Sequence, residues 1–131
     1  MTRVAIALGS NLGDRRAHLQ FAISRLRKIL TNVRISSIHE TTPEGVDGPQ
    51  PDYLNAVVAG FTTLSPIVLL QTLLAIERER GRTRPSPRAS RTLDLDLILY
   101  GDEVIDTPEL TVPHPRYLDR RFVTEPLEEV W

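Results

Sequence analysis

The chain has 131 residues, no cysteine, 40% hydrophobic residues and a formal net charge of -1. That size suits a single domain, residues 1–131, that buries a core without cross-links. The absence of cysteine excludes a disulfide scaffold, a thiol nucleophile and any Cys-ligated metal. No apolar run approaches the roughly 18 residues that cross a bilayer, and residues 1–8 are too short and too soon interrupted for a signal peptide, so a soluble, cytoplasmic protein is expected.

Residues 2–8 read as a buried strand ending at Gly9. Asp14 is a candidate N-cap, after which Leu19, Ala22, Ile23, Leu26 and Leu30 recur at helical spacing, with Arg16, Gln20, Arg27 and Lys28 on the opposite face. Residues 33–38 form a short β-prone run. Residues 40–52 hold four acids, three prolines, two glycines and no base, and read as a loop. Residues 53–61 resume as a strand. Ser65-Pro66 has the form of a helix start, a cap residue and then proline at the first helical position. Ile67, Leu70, Leu73, Leu74 and Glu77 follow along its turns, and Gly81 supplies the stop. Residues 82–91 read as a basic loop, 92–100 as a strand, and Gly101-Asp102 as a hairpin-type turn into residues 103–105. Residues 107–131 contain Pro108, Pro113, Pro115 and Pro126 and read as an irregular extension with one short helix near 116–121.

The order is βαββαβ plus a C-terminal extension. It is the order of a ferredoxin-like α+β sandwich, a mainly antiparallel sheet with helices packed on it.

The most informative segment is Thr92-Leu93-Asp94-Leu95-Asp96-Leu97-Ile98-Leu99-Tyr100. In an extended strand Leu93, Leu95, Leu97 and Leu99 share the core face, while Asp94 and Asp96 share the other. Carboxylates at i and i+2 on one face have Cα atoms roughly 6–7 Å apart and can converge on a cation. So few oxygen ligands suit Mg²⁺, which keeps waters and draws further ligands from a phosphate. The alternative is two aspartates that simply face water. Five arginines and no acid lie between residues 80 and 91 (Arg80, Arg82, Arg84, Arg88, Arg91), immediately before the pair. Guanidiniums beside carboxylate-held Mg²⁺ favour a polyphosphate ligand.

Gly9-Ser10-Asn11-Leu12-Gly13 lacks the Gly-Lys-Ser/Thr ending of a phosphate loop and reads as a turn. In the second cluster, Thr42-Pro43-Glu44-Gly45 and Asp52-Tyr53-Leu54-Asn55, Tyr53 offers a stacking face and the Asn55 amide a donor and an acceptor for a flat heterocycle. His114, held between Pro113 and Pro115, can donate to a phosphate or carry a proton. His18 and His39 read as incidental. With 5% aromatic residues and no basic-aromatic run on a strand, an RNA-binding sandwich is disfavoured.

Five blocks occur together in order: Gly9–Gly13, Gln50-Pro51-Asp52-Tyr53-Leu54-Asn55, Glu77-Arg78-Glu79-Arg80-Gly81-Arg82, Arg91-Thr92-Leu93-Asp94-Leu95-Asp96 and Val112-Pro113-His114-Pro115. Together they resemble the 6-hydroxymethyl-7,8-dihydropterin pyrophosphokinases of folate biosynthesis, over nearly the whole chain. The resemblance implies transfer of pyrophosphate from ATP to the pterin hydroxymethyl group, with release of AMP. It implies that Asp94 and Asp96 hold two Mg²⁺ ions and that Arg82 and Arg91 stabilise the transferring group. Arg84, His114 and Arg120 would also meet the phosphates, and Glu77, Leu97 and Thr111 would surround the nucleotide. Tyr53 and Phe122 would sandwich the pterin, whose edge is read by Asn55 and by the backbone around Thr42, Pro43 and Gly45. Closure of loops 40–52 and 82–91 would exclude water. The small-molecule substrates leave no role for nucleic acid or membrane, and a monomer is expected. The competing reading is a non-catalytic nucleotide- or pterin-binding regulatory module on the same fold. Three positions depart from the family pattern: Arg88-Ala89-Ser90-Arg91 lacks the usual aromatic-Gly-Pro run, and Leu74 and Glu109 replace polar and basic residues.

Overall fold

The computed structural model describes residues 1–43, 49–81 and 92–131. Strand β1 (Thr2–Ser10) divides the protein into two layers by alternation, with Val4, Ile6 and Leu8 facing one core and Ala5 and Ala7 the other. Helix α1 (Arg15–Leu26) begins where expected, because the Asp14 carboxylate accepts a hydrogen bond from the Ala17 amide at 3.1 Å. The next stretch makes two strands, β2 (Thr31–Ile35) and β3 (His39–Thr41). The break falls at Ser36, which keeps its hold on the neighbouring strand through its own side chain. The Ser36 amide donates to the Val57 carbonyl (2.9 Å), and its Oγ accepts from the Val57 amide (2.8 Å) in place of a backbone carbonyl. Glu40 and Thr41, expected in a loop, therefore belong to β3.

Strand β4 (Tyr53–Thr62) is followed by α2 (Pro66–Glu79), capped by the Ser65 hydroxyl on the Val68 amide and terminated near Gly81 at φ +79°. Strand β5 (Asp94–Tyr100) completes a sheet ordered β2-β4-β1-β5, with β3 also on β4, and these pairings are antiparallel. With β2 and β3 counted as one interrupted strand, this is the ferredoxin-like βαββαβ arrangement.

Helices α1 and α2 cover one face, where Leu19, Leu26, Leu69 and Leu73 pack on Val4, Ile6, Val58 and Leu97. Leu73 is fully buried there. Replacing Leu73 with Ala is expected to lower unfolding free energy by about 3 kcal/mol, read as a shifted urea midpoint.

Three expectations change. Leu99 does not share the core face of Leu95 and Leu97. Ile6 pairs with Leu97 but Ala5 with Leu99, so Ile98 is the extra residue of a bulge that rotates both Ile98 and Leu99 to the second face. The Gly101 turn does not fold the chain back onto β5 as a hairpin; instead β6 (Ile105–Asp106) pairs with β7 (Thr111–Val112) in a separate ribbon. The C-terminal stretch is not irregular, for after a 3-10 turn (Tyr117–Asp119) it forms a ten-residue helix, α3 (Arg121–Val130), with Pro126 inside it. Proline read as a breaker, but Val123, Leu127 and Val130 recur at i, i+4 and i+7 and dock on Ala5, Val57, Ala59 and Ile98, outweighing the lost amide. Arg3 closes the helix end by donating to the Val130 and Trp131 carbonyls at 3.2 and 3.1 Å.

Candidate active site

Among the described residues, helix α3 covers only part of the second face. Beyond it, at the ends of β1, β4 and β5, the sheet presents a polar row. Gly9 lies opposite Asn55 on one side and opposite Asp94 on the other, and Asn55 lies opposite His39. One step along, Ala7 lies between Val57 and Asp96. Two strand spacings separate the Asn55 and Asp94 backbones by about 10 Å. The floor between them consists of the small residues Gly9, buried beside the Tyr53 ring, and Ala7, a trough of small side chains among the described residues. A Cβ placed on Gly9 would stand 3.5 Å from both Asn55 Oδ1 and the Tyr53 ring. Gly9, expected to end the strand, lies within β1, where glycine often marks close approach by another group.

On one bank, Asn55 is 5% exposed and its Nδ2 donates to Thr41 Oγ1 (2.8 Å) and to the His39 carbonyl (3.3 Å). Both amide protons are thereby engaged by β3, and the acceptor Oδ1 is turned over Gly9. Tyr53 is half-buried beside it. Thr42 and Pro43 follow β3 directly, with Thr42 exposed. Buried Asn11 ties this bank to β1 by donating to Gln50 Oε1 (3.0 Å) and the Pro51 carbonyl (3.3 Å). Arg15 does so from α1, donating to Glu40 and to the Asp52 carbonyl, each at 2.8 Å.

On the other bank, Asp94 and Asp96 are half-buried on the same face, as alternation requires. His114 is fastened alongside by its amide, which donates to the Ile98 carbonyl at 3.0 Å. The Arg116 amide approaches His114 Nδ1 at 3.4 Å, which leaves the ring proton on Nε2. Burial lowers the His114 pKa, the Arg120 guanidinium lowers it further, the Asp94 carboxylate opposes them and Arg116 adds to the lowering. The Arg120 guanidinium also lies over the Phe122 ring, 5.7 Å from its centroid, at the start of α3.

Strand β5 is the sheet edge, and Glu77, 2% exposed, reaches it from α2. Its Oε2 accepts from the Leu95 amide at 2.7 Å. The Leu97 side chain is buried in the helix-side core, but by alternation its amide and carbonyl face the same edge as those of Leu95. Thr111 is exposed on β7, whose ribbon leads through the cis Val112-Pro113 bond to His114. Arg82, Arg84, Arg91 and Gly45 lie outside the described residues, as does the altered Arg88–Arg91 run. Leu74 and Glu109 are exposed. A hollow of about 250 Å³ between Arg3, Arg34 and Phe61 sits at the opposite end of β1 from Gly9 and holds none of these groups.

His18 has a structural task. Its Nδ1 accepts from Arg80 Nε at 2.8 Å, joining α1 to the end of α2 just before the basic segment. Only a neutral imidazole can accept this bond, and burial together with Arg80 lowers the His18 pKa below 6.5. The unfolded chain therefore binds the proton more readily, and stability should fall as pH drops through 6.5. The His18→Gln variant, whose amide oxygen can still accept, is expected to lose less stability between pH 7.5 and 5.5 in paired urea titrations.

A sequence model of the 7,8-dihydro-6-hydroxymethylpterin-pyrophosphokinase family matches residues 5–131. The 2-amino-4-hydroxy-6-hydroxymethyldihydropteridine pyrophosphokinase of Bacillus subtilis is 45% identical over 127 residues, which are 95% of this chain and 75% of that protein. The protein of the same name from Haemophilus influenzae is 42% identical over 132 residues, covering 99% of this chain and 82% of its own length. Among solved structures, an HPPK-DHPS in complex with substrates superposes with a TM-score of 0.77 at 12% identity, over 99% of this chain and 42% of that one, a likeness of fold. The chain belongs to the 7,8-dihydro-6-hydroxymethylpterin pyrophosphokinase family.

Proposed function

We propose that this protein transfers the pyrophosphoryl group of ATP to the hydroxymethyl group of 6-hydroxymethyl-7,8-dihydropterin, releasing AMP, as a cytoplasmic monomer of one domain in folate biosynthesis. The observation that carries this reading is the row Asn55–Gly9–Asp94. An amide of defined polarity and a pair of carboxylates stand on either side of a floor made of Gly9 and Ala7.

Among the described residues no group of three His, Asp or Glu side chains is arranged to hold a metal. Asp94 and Asp96 thus supply hard oxygen donors for only part of a coordination shell. That donor set fits Mg²⁺, which completes its shell with water and phosphate oxygens. When bound there, two Mg²⁺ ions would neutralise phosphate charge and orient the triphosphate.

The remaining work falls to the chain's own groups. Tyr53 and Phe122 stack on the pterin, and the Asn55 Oδ1 accepts from its N–H edge. The nucleotide lies along the outer edge of β5, against Glu77, the Leu97 main chain and Thr111. His114 donates from Nε2 to a phosphate oxygen, and Arg84 and Arg120 also serve the phosphates. In the reaction the substrate hydroxyl oxygen forms a bond to the β-phosphorus as the α–β bridge breaks, its proton passes to water, and AMP departs. Arg82 and Arg91 offset the charge that builds on the transferring group. Binding both substrates across one trough supplies the proximity on which such a step depends.

The test is AMP release from ATP and Mg²⁺ with the pterin present and omitted. Pterin-dependent AMP is the expected result. Binding of both ligands with no AMP would favour the non-catalytic module.

A further inference from the structure

Helix α3 meets the sheet through an apolar face and, toward its C-terminal end, through the carboxylates of Glu125 and Glu129. Among the described residues Glu129 takes three short hydrogen bonds: from the Ser37 amide to Oε1, and from Ser37 Oγ and His39 Nε2 to Oε2, each at 2.8 Å. Glu125, one turn earlier, lies 4.0 Å from the other nitrogen of His39. The Ser37 amide above all, then His39 and the Ser37 hydroxyl, hold the Glu129 pKa down to about 2, so it is charged at any working pH. A partly exposed carboxylate of this kind adds little to stability, and Val123, Leu127 and Val130 already dock the helix. Its contacts instead lead to the trough. Ser37 precedes β3 and His39 opens it, and in β3 the His39 carbonyl and Thr41 Oγ1 together take both Asn55 amide protons. At the far end, α3 begins with Arg121 and Phe122.

We propose that Glu129 is a positioning residue for pterin recognition. One side chain, remote from the ligand, ties the strand that orients Asn55 to the helix that carries Phe122. The inference rests on the pterin reading of those two residues. Loss of the tie lets β3 and α3 shift relative to each other, so the acceptor edge and the stacking ring no longer match one ligand pose.

The experiment compares steady-state constants for Glu129→Ala, Glu129→Gln and wild type, with thermal unfolding measured on the same preparations. E129A is expected to raise the pterin KM about tenfold, the size of one charge-assisted hydrogen bond, and to leave the ATP KM within about twofold. E129Q, whose amide oxygen still accepts from the Ser37 amide, falls between. A merely structural loss would lower the active fraction, and so kcat, without this split between substrates. An unchanged pterin KM in E129A, or equal rises for both substrates, overturns the proposal. Should E129A not fold, Ser37→Ala decides. It keeps the backbone bond, so a pterin-selective rise of about threefold supports the proposal and no change overturns it. Equilibrium binding, followed by pterin fluorescence, gives the same comparison without turnover. Wild-type protein that binds pterin but releases no AMP would count against the pyrophosphokinase reading, not against the positioning role.

Discussion

Asp94→Asn and Asp96→Asn each lower kcat by about a thousandfold, while the protein stays folded at the assay temperature. That is the result expected if these carboxylates act on phosphate charge and do not support the fold. Both stand half-buried on one face of an edge strand, in consecutive outward positions. Each replacement is isosteric, so the pairing of β5 with β1 is kept. The carboxylate charge acts on the reaction when a cation and a triphosphate occupy the space beside the pair, where lost charge stabilisation costs orders of magnitude in rate. AMP-release assays at saturating Mg²⁺, paired with denaturation curves, separate the two effects. Wild-type-like turnover in both variants would remove the metal assignment. A large fall in stability would recast the aspartates as structural.

Filling the trough should be as decisive, and through a different cause. Gly9→Ala is expected to stay within a fewfold of wild type, because its Cβ meets Asn55 Oδ1 and the Tyr53 ring at 3.5 Å, an ordinary contact distance. Gly9→Leu places three further carbons where the ligand would lie and pushes those two groups aside. A displacement of this order costs about a hundredfold in kcat/KM. Direct binding of the pterin, measured by fluorescence, should be lost in parallel, while Mg²⁺-dependent ATP binding on the β5 side persists. Equal catalytic efficiency in the Ala and Leu variants would show that the substrate does not cross Gly9.

Several elements were legible because they depend on local rules. Asp14 and Ser65 cap their helices through contacts three residues away, and the Asp94–Asp96 face follows from a period of two. The aromatic and amide of the second cluster were readable as chemistry, since Tyr53 and Asn55 open a strand. Their arrangement was not. Asn55 acquires its polarity from Thr41 and His39 on another strand, and the bulge at Ile98 shows only in the pairing with β1. His18 and His39 read as incidental because their partners, Arg80 and Glu129, are 62 and 90 residues away in sequence.

By itself the sequence determined the βαββαβ order of the main sheet and its two helices, the shared face of Asp94 and Asp96 and the family to which the five blocks point. Each depends on spacing along one chain, which propensity and alternation control. Tertiary structure alone decided that residues 121–130 are helical despite Pro126, because burial of Val123, Leu127 and Val130 against β1 and β4 outweighs a missing amide. It also decided which part of that face α3 leaves uncovered among the described residues. A trough is a relation among three strands and a docked helix, and no local rule specifies which part of a sheet is left uncovered.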